Sequence, residues 1–162
     1  MDTKNLIWCL GLKKGIRLVN PNTDLSNSYL IKAEVSFEVV KKLKKYQSWG
    51  ITAVYYSMYF ALYSVLIKIG IKCENHFCSL ELMKTMLKGY FSDDEFSLLI
   101  KAKKLRVDAQ YYPVKEISKE EYKNLIKTVT VFLVKCQLIL KGLSDEQIRD
   151  IRSQLENLKS NP

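Results

Sequence analysis

Glycine and proline are scarce in this chain, six and three among 162 residues. With so few turn-formers, and with long stretches holding neither, the sequence disfavours a many-turned β fold and favours helices. Phosphate-cradling GxxxxGK loops, GxSxG elbows and HExxH pairs are all missing, which argues against P-loop, α/β-hydrolase and zincin chemistry. Acidic residues do not form the inward Glu-x-x-His pattern of a di-iron bundle. The expectation is therefore no cofactor and no metal. Histidine occurs once, at His76, and arginine only at positions 17, 106, 149 and 152.

The length fits one domain with a real core, and the 48% hydrophobic content is ordinary for a globular protein. A formal charge of +9 and a pI near 9.3 suit an acidic partner such as RNA. Because the basic residues are nearly all lysine, a merely solvated surface explains them equally well. Cys9, Cys73, Cys78 and Cys136 are few and scattered, so they read as reduced thiols of a cytoplasmic protein. The apolar run from Leu6 to Leu12 is a poor signal peptide, being short and without a small-residue cleavage site. Ile51 to Ile67 carries no charge, yet it falls short of the ~20 residues of a membrane span and would put four phenols in hydrocarbon. A buried core helix is the better reading, with no membrane involved.

The fold class expected is all-α, an antiparallel up-and-down bundle of four to six helices. Residues 1–24 form an arm packing on the bundle through Trp8, Leu10, Leu12, Ile16 and Leu18. Residues 25–142 form the bundle, and 143–162 a C-terminal helix. Asp24 or Ser26 caps a first helix reaching about Lys45, with Tyr29, Ala33, Phe37 and Val40 inward and Lys41, Lys42, Lys44 and Lys45 at its end. Ser48-Trp49-Gly50 turns into a second helix over about 50–69. Its Tyr55, Met58, Leu62, Val65 and Ile69 line one face and Tyr56, Tyr59 and Tyr63 a second, which suggests packing against another copy as well. A short helix runs from about Ser79 to Lys88. Ser92…Glu95, Ser118…Glu121 and Ser144…Gln147 each match the capping box and start helices near 93–111, 119–141 and 145–158. Gly142 closes the second of these. No strand signal stands out.

Arg106 is the most informative residue. At about 100° per residue, Leu98, Leu99, Ala102, Leu105 and Ala109 form one apolar arc, and Arg106 falls inside it. A guanidinium there stays charged, so it must be paired, face a partner subunit or line a polar cleft. Glu34 and Glu38 are the candidate partners for pairing. Tyr111 and Tyr112 follow one turn later, and Lys101, Lys103 and Lys104 surround the arginine in sequence. Such a set could hold a phosphodiester and stack a base on a phenol. In Lys72-Cys73-Glu74-Asn75-His76-Phe77-Cys78, the two cysteines and the histidine lack the fourth ligand and the spacing of structural zinc. His76 remains a candidate general acid or base, or a loop histidine capping the next helix.

The tyrosine helix AVYYSMYFALYSVL, the loop KCENHFC and the segment KAKKLRVDAQYYP, in that order, resemble the HEPN domains (higher eukaryotes and prokaryotes nucleotide-binding). With the arm GIRLVNPNTDLSNSYLIKAE the likeness covers roughly residues 9–140 and points to an archaeal subgroup. The resemblance implies an antiparallel helical bundle that dimerises. It also implies metal-independent endoribonucleases or toxins that neighbour a minimal nucleotidyltransferase antitoxin. Their signature is an arginine followed, four to six residues on, by a histidine. Arg106 matches the arginine, whereas Tyr111 and Tyr112 stand where the histidine should first appear. A phenol with pKa near 10 is a poor general base.

The expectation is a homodimeric RNA- or nucleotide-binding module with a degenerate nuclease motif. It would work with a nucleotidyltransferase antitoxin in the cytoplasm, with Arg106, Tyr111, Tyr112, Lys101, Lys103 and Lys104 binding. One alternative is an active endoribonuclease toxin using Arg106 with His76 or Tyr111. A second is a structural subunit in which Arg106 is ion-paired and idle.

Overall fold

The computed structural model describes residues 3–43, 45–112 and 118–160. Lys44, expected in the lysine cluster, and Pro113, the last residue of the arginine segment, lie outside them. Seven helices and a two-stranded sheet occupy the described residues, in place of a purely helical four-to-six-helix bundle. The order is α1 (Lys4–Gly11), β1 (Ile16–Leu18), α2 (Thr23–Lys42), α3 (Gln47–Ile69), β2 (Ile71–Cys73), α4 (His76–Thr85), α5 (Asp93–Tyr111), α6 (Lys119–Gly142) and α7 (Asp145–Ser160).

The tyrosine-rich α3 is the central element, with α2, α5 and α6 all packing on it. It is long and apolar enough to cross a membrane, but most of it is buried inside the bundle. A Cβ on Gly50 would collide with the Tyr122 phenol of α6, so the close approach of these two helices depends on glycine. Both faces of α3 are used within the chain. Tyr59 and Tyr63 are buried, and Tyr63 meets Tyr29 of α2 edge-on at 4.7 Å. Tyr59 and Tyr63 of the second aromatic face are thus covered by the chain itself, while Tyr56 stays half-buried.

All three expected capping boxes form. In α5 and α6 the serine side chain accepts from the glutamate N–H and the glutamate accepts from the serine N–H. Ser144 and Gln147 make the same reciprocal pair. Other ends differ. Asn22, not Asp24 or Ser26, caps α2, its Oδ1 accepting from Leu25 N–H at 2.8 Å. Asn22 alone of the three has extended backbone just ahead of the helix, and a cap needs that conformation. Ser48-Trp49-Gly50 belongs to the first turns of α3, which begins at Gln47. Gly142 lies within α6, and the left-handed C-cap is Gly70 of α3, with φ of +83°.

The arm is more structured than expected. It contributes α1 and pairs β1 antiparallel with β2, Ile16 opposite Cys73 and Leu18 opposite Ile71. Arg152 of α7 fastens this corner, its Nη1 donating to the carbonyls of Val19, Ile69 and Gly70 at 2.7, 3.1 and 3.1 Å. Trp8 does not enter the core: it is 54% exposed and meets Phe77 edge-on at 5.9 Å. Cys9 and Cys78 form a disulfide, correcting the reading of four free thiols. This bond ties α1 to the first turn of α4 and removes Cys78 as a metal ligand. Cys73 and Cys136 are free and buried.

Candidate functional site

The segment expected to be a loop as far as Cys78 is already helical at His76. Asn75 caps α4 by accepting from Phe77 N–H at 2.9 Å and from Cys78 N–H at 3.4 Å. His76 is therefore the first residue of a capped helix, held against α3. Its ring stacks on Tyr59 at 3.9 Å between centroids, nearly parallel, and its Nδ1 lies 2.5 Å from the Tyr55 hydroxyl. Burial pushes the Tyr55 phenol well above its ordinary range, with Tyr59 adding to the rise and Arg106 opposing it. Tyr55 keeps its proton. Having no other acceptor among the described residues, it donates to Nδ1, which leaves the hydrogen of the neutral ring on Nε2.

Arg106 comes to the same aromatic wall from α5. Leu99 and Ala102 bury that helix, and one turn beyond Ala102 the guanidinium carbon sits 5.5 Å from the Tyr55 ring centre and 5.2 Å from that of Tyr56. Both are cation–π distances. Its Nε is buried and has no hydrogen-bond partner. Neither candidate carboxylate serves it. Glu34 accepts from Gln137 at 2.8 Å and Glu38 pairs with Lys41, so the idle ion pair is not formed. Lys103 completes the cluster. Burial first and Arg106 second lower its pKa, and it acts together with Arg106 on His76. Burial, then Arg106, then Lys103 lower the imidazole to about 4.

Arg106 and His76, both chosen from the sequence, thus come to one aromatic wall, with Lys103 near enough to act on the imidazole, and no carboxylate is paired to the three among the described residues. Unpaired cations on a partly desolvated aromatic floor are complementary to an anion with several acceptor oxygens. The other candidates lie apart. Lys101 and Lys104 are exposed on α5, while Tyr111 and Tyr112, 72% and 64% exposed, lie at the end of that helix. Tyr55, Tyr56 and Tyr59 of the tyrosine helix form the floor of the site. The signal available was the run of phenols along one helix, Tyr55, Tyr56, Tyr59 and Tyr63.

A HEPN domain model matches residues 25–137, well over half of the chain, and the protein belongs to the HEPN domain family. The match spans the tyrosine helix, His76 and Arg106, and it does not distinguish an archaeal subgroup. No curated protein matches the sequence significantly.

Proposed function

We propose that this HEPN protein binds RNA or a nucleotide through its phosphate, held by Arg106 and Lys103 with the Nε2–H of His76 as a third donor. The observation that carries this reading is the buried, unpartnered Nε of Arg106, since a desolvated guanidinium donor is costly unless a ligand fills it. We place the binding module in a cytoplasmic homodimer, away from membranes, as the partner of a nucleotidyltransferase antitoxin. Tyr111, Tyr112, Lys101 and Lys104 lie outside the immediate cluster and would contact flanking parts of a longer strand.

The test is binding of a short single-stranded RNA in EDTA, wild type beside Arg106→Ala, with the RNA analysed for cleavage in parallel. Binding without cleavage, weakened at least about tenfold by the substitution, is expected for a charge-assisted contact. Unchanged affinity in Arg106→Ala refutes the assignment.

One observation favours a second reading, a metal-independent endoribonuclease: His76 lies on the same aromatic floor as Arg106 despite the missing histidine after it. In that reaction the 2′-oxygen attacks phosphorus, its proton passes to Nε2, and the P–O5′ bond breaks with the 5′-oxygen taking a proton from solvent water. Arg106 stabilises the charge on the phosphoryl oxygens. Nε2 can accept the proton only when Nδ1 carries the ring hydrogen and donates to Tyr55. The present hydrogen bond favours the opposite tautomer, so binding is the leading reading. Growth arrest on expression, abolished by Arg106→Ala and by His76→Asn, would reverse that order.

A further inference from the structure

Beside the phosphate site, α2 and α3 leave an open groove of about 350 Å³, at the small end of ligand pockets. Val39 and Leu43 form one wall, and Trp49, Ala53, Tyr56 and Phe60 form the other. The serine and threonine hydroxyls along it are already engaged. Ser36 donates to Lys32 O at 2.8 Å and Thr52 to Ser48 O at 3.1 Å. Its lining therefore offers flat apolar surface and few free polar atoms. Trp49 is 66% exposed, an unusual position for the largest aromatic side chain.

Two features identify the occupant. Tyr56 is shared, lining the groove and lying 5.2 Å from the Arg106 guanidinium, so groove and cation site adjoin across one ring. One turn along α3 Phe60 stacks on Tyr56 at 5.5 Å, and Lys32 sits over Phe60, 4.4 Å from its centre. A ligand reaching both must be planar and apolar in one part and anionic in the next.

We infer that the groove receives an unpaired nucleobase of an RNA strand whose phosphate is held by Arg106 and Lys103. This inference rests on the phosphate-binding reading and adds the substrate class to it. Bases in a duplex are stacked and cannot enter, whereas single strands expose them to aromatic side chains. Stacking tolerates every base, so the groove selects single-strandedness and not sequence.

The test compares three probes, a ten-nucleotide oligouridylate, an abasic ribose-phosphate strand of equal charge and a short RNA duplex. Each is titrated into wild type, Trp49→Ala, Ala53→Gln and Arg106→Ala, all checked for folding by circular dichroism. Wild type should prefer oligouridylate over both other probes by about tenfold or more, the scale of one stacked base. Trp49→Ala and Ala53→Gln should abolish that preference while leaving abasic binding unchanged. An intact preference in both groove variants overturns the inference. Dissociation of a dimer by the groove variants, with the preference retained, also overturns it and makes the groove an interface between copies. Failure of wild type to bind any probe, or abasic binding indifferent to Arg106→Ala, refutes the phosphate reading itself and the groove with it.

Discussion

The single histidine allows the site's electrostatics to be read directly. Burial, Arg106 and Lys103 hold the His76 pKa near 4, against an ordinary value of about 6.5. The unfolded chain therefore takes up a proton at a pH where the folded protein does not. Stability contributed by the neutral ring is complete above about 6.5 and is lost as the pH falls from there toward about 4, below which no further loss occurs. Undiminished, the difference would be about 3 kcal/mol. The ring is only half-buried, and solvent screening reduces the figure to about 1–2 kcal/mol. Urea unfolding at steps between pH 7 and 4 measures the slope, and His76→Asn should flatten that part of it. Proton–carbon NMR reports the sole imidazole resonance without assignment. Arg106→Gln should raise its pKa by removing the cation with the larger effect on it. An imidazole titrating near 6.5 in the wild-type protein would refute this picture of the site.

Anion binding should reverse the imidazole shift, because a phosphate beside His76 favours its charged form. RNA affinity should then rise as the pH falls from 7 to 5, a trend absent in His76→Asn and measurable by anisotropy at fixed salt. Lys103→Ala should lower the slope of log affinity against log salt by about one, as for any single phosphate contact. Breaking the disulfide by Cys9→Ser should cost up to roughly 4 kcal/mol for a bridge closing a loop of 69 residues, read as a fall in thermal midpoint that reductant does not deepen. Gly50→Ala should destabilise by about 1–2 kcal/mol, because overpacking against Tyr122 outweighs the gain in helix propensity. Tyr122→Leu in the same chain should recover part of the urea midpoint.

What the sequence reveals of the fold follows from the range of the interactions that set it. Capping boxes are local, four residues deciding their own hydrogen bonds, and Ser92, Ser118 and Ser144 are legible for that reason. The extended backbone at Asn22 is set by the chain's path from β1, so composition alone favours the wrong cap nearby. The β1–β2 ladder joins Ile16 to Cys73 across the whole of α2 and α3, and three-residue strands carry almost no periodic signal. The disulfide was hidden similarly. Cys9 and Cys78 are 69 residues apart, and only the docking of α1 on α4 brings them together.

The site is legible to the extent that it violates a pattern. Arg106 stands out because an inward arginine contradicts its apolar arc, and His76 because it is the only imidazole. That the two meet could not be read from spacing, since the Tyr55 and Tyr59 rings that support them belong to a third helix. The same rings explain how the site departs from an arginine and histidine on one helix. Here the imidazole is delivered by the N-terminus of α4, so the step from Arg106 to Tyr111 need not carry it. In the cleavage reading the outcome would turn on which ring nitrogen bears the hydrogen, and the Tyr55 hydroxyl is the group bonded to Nδ1. Tyr55→Phe removes the donor to Nδ1 and frees the tautomer, so a gain of cleavage in that variant would show that the phenol holds a latent nuclease in its binding state.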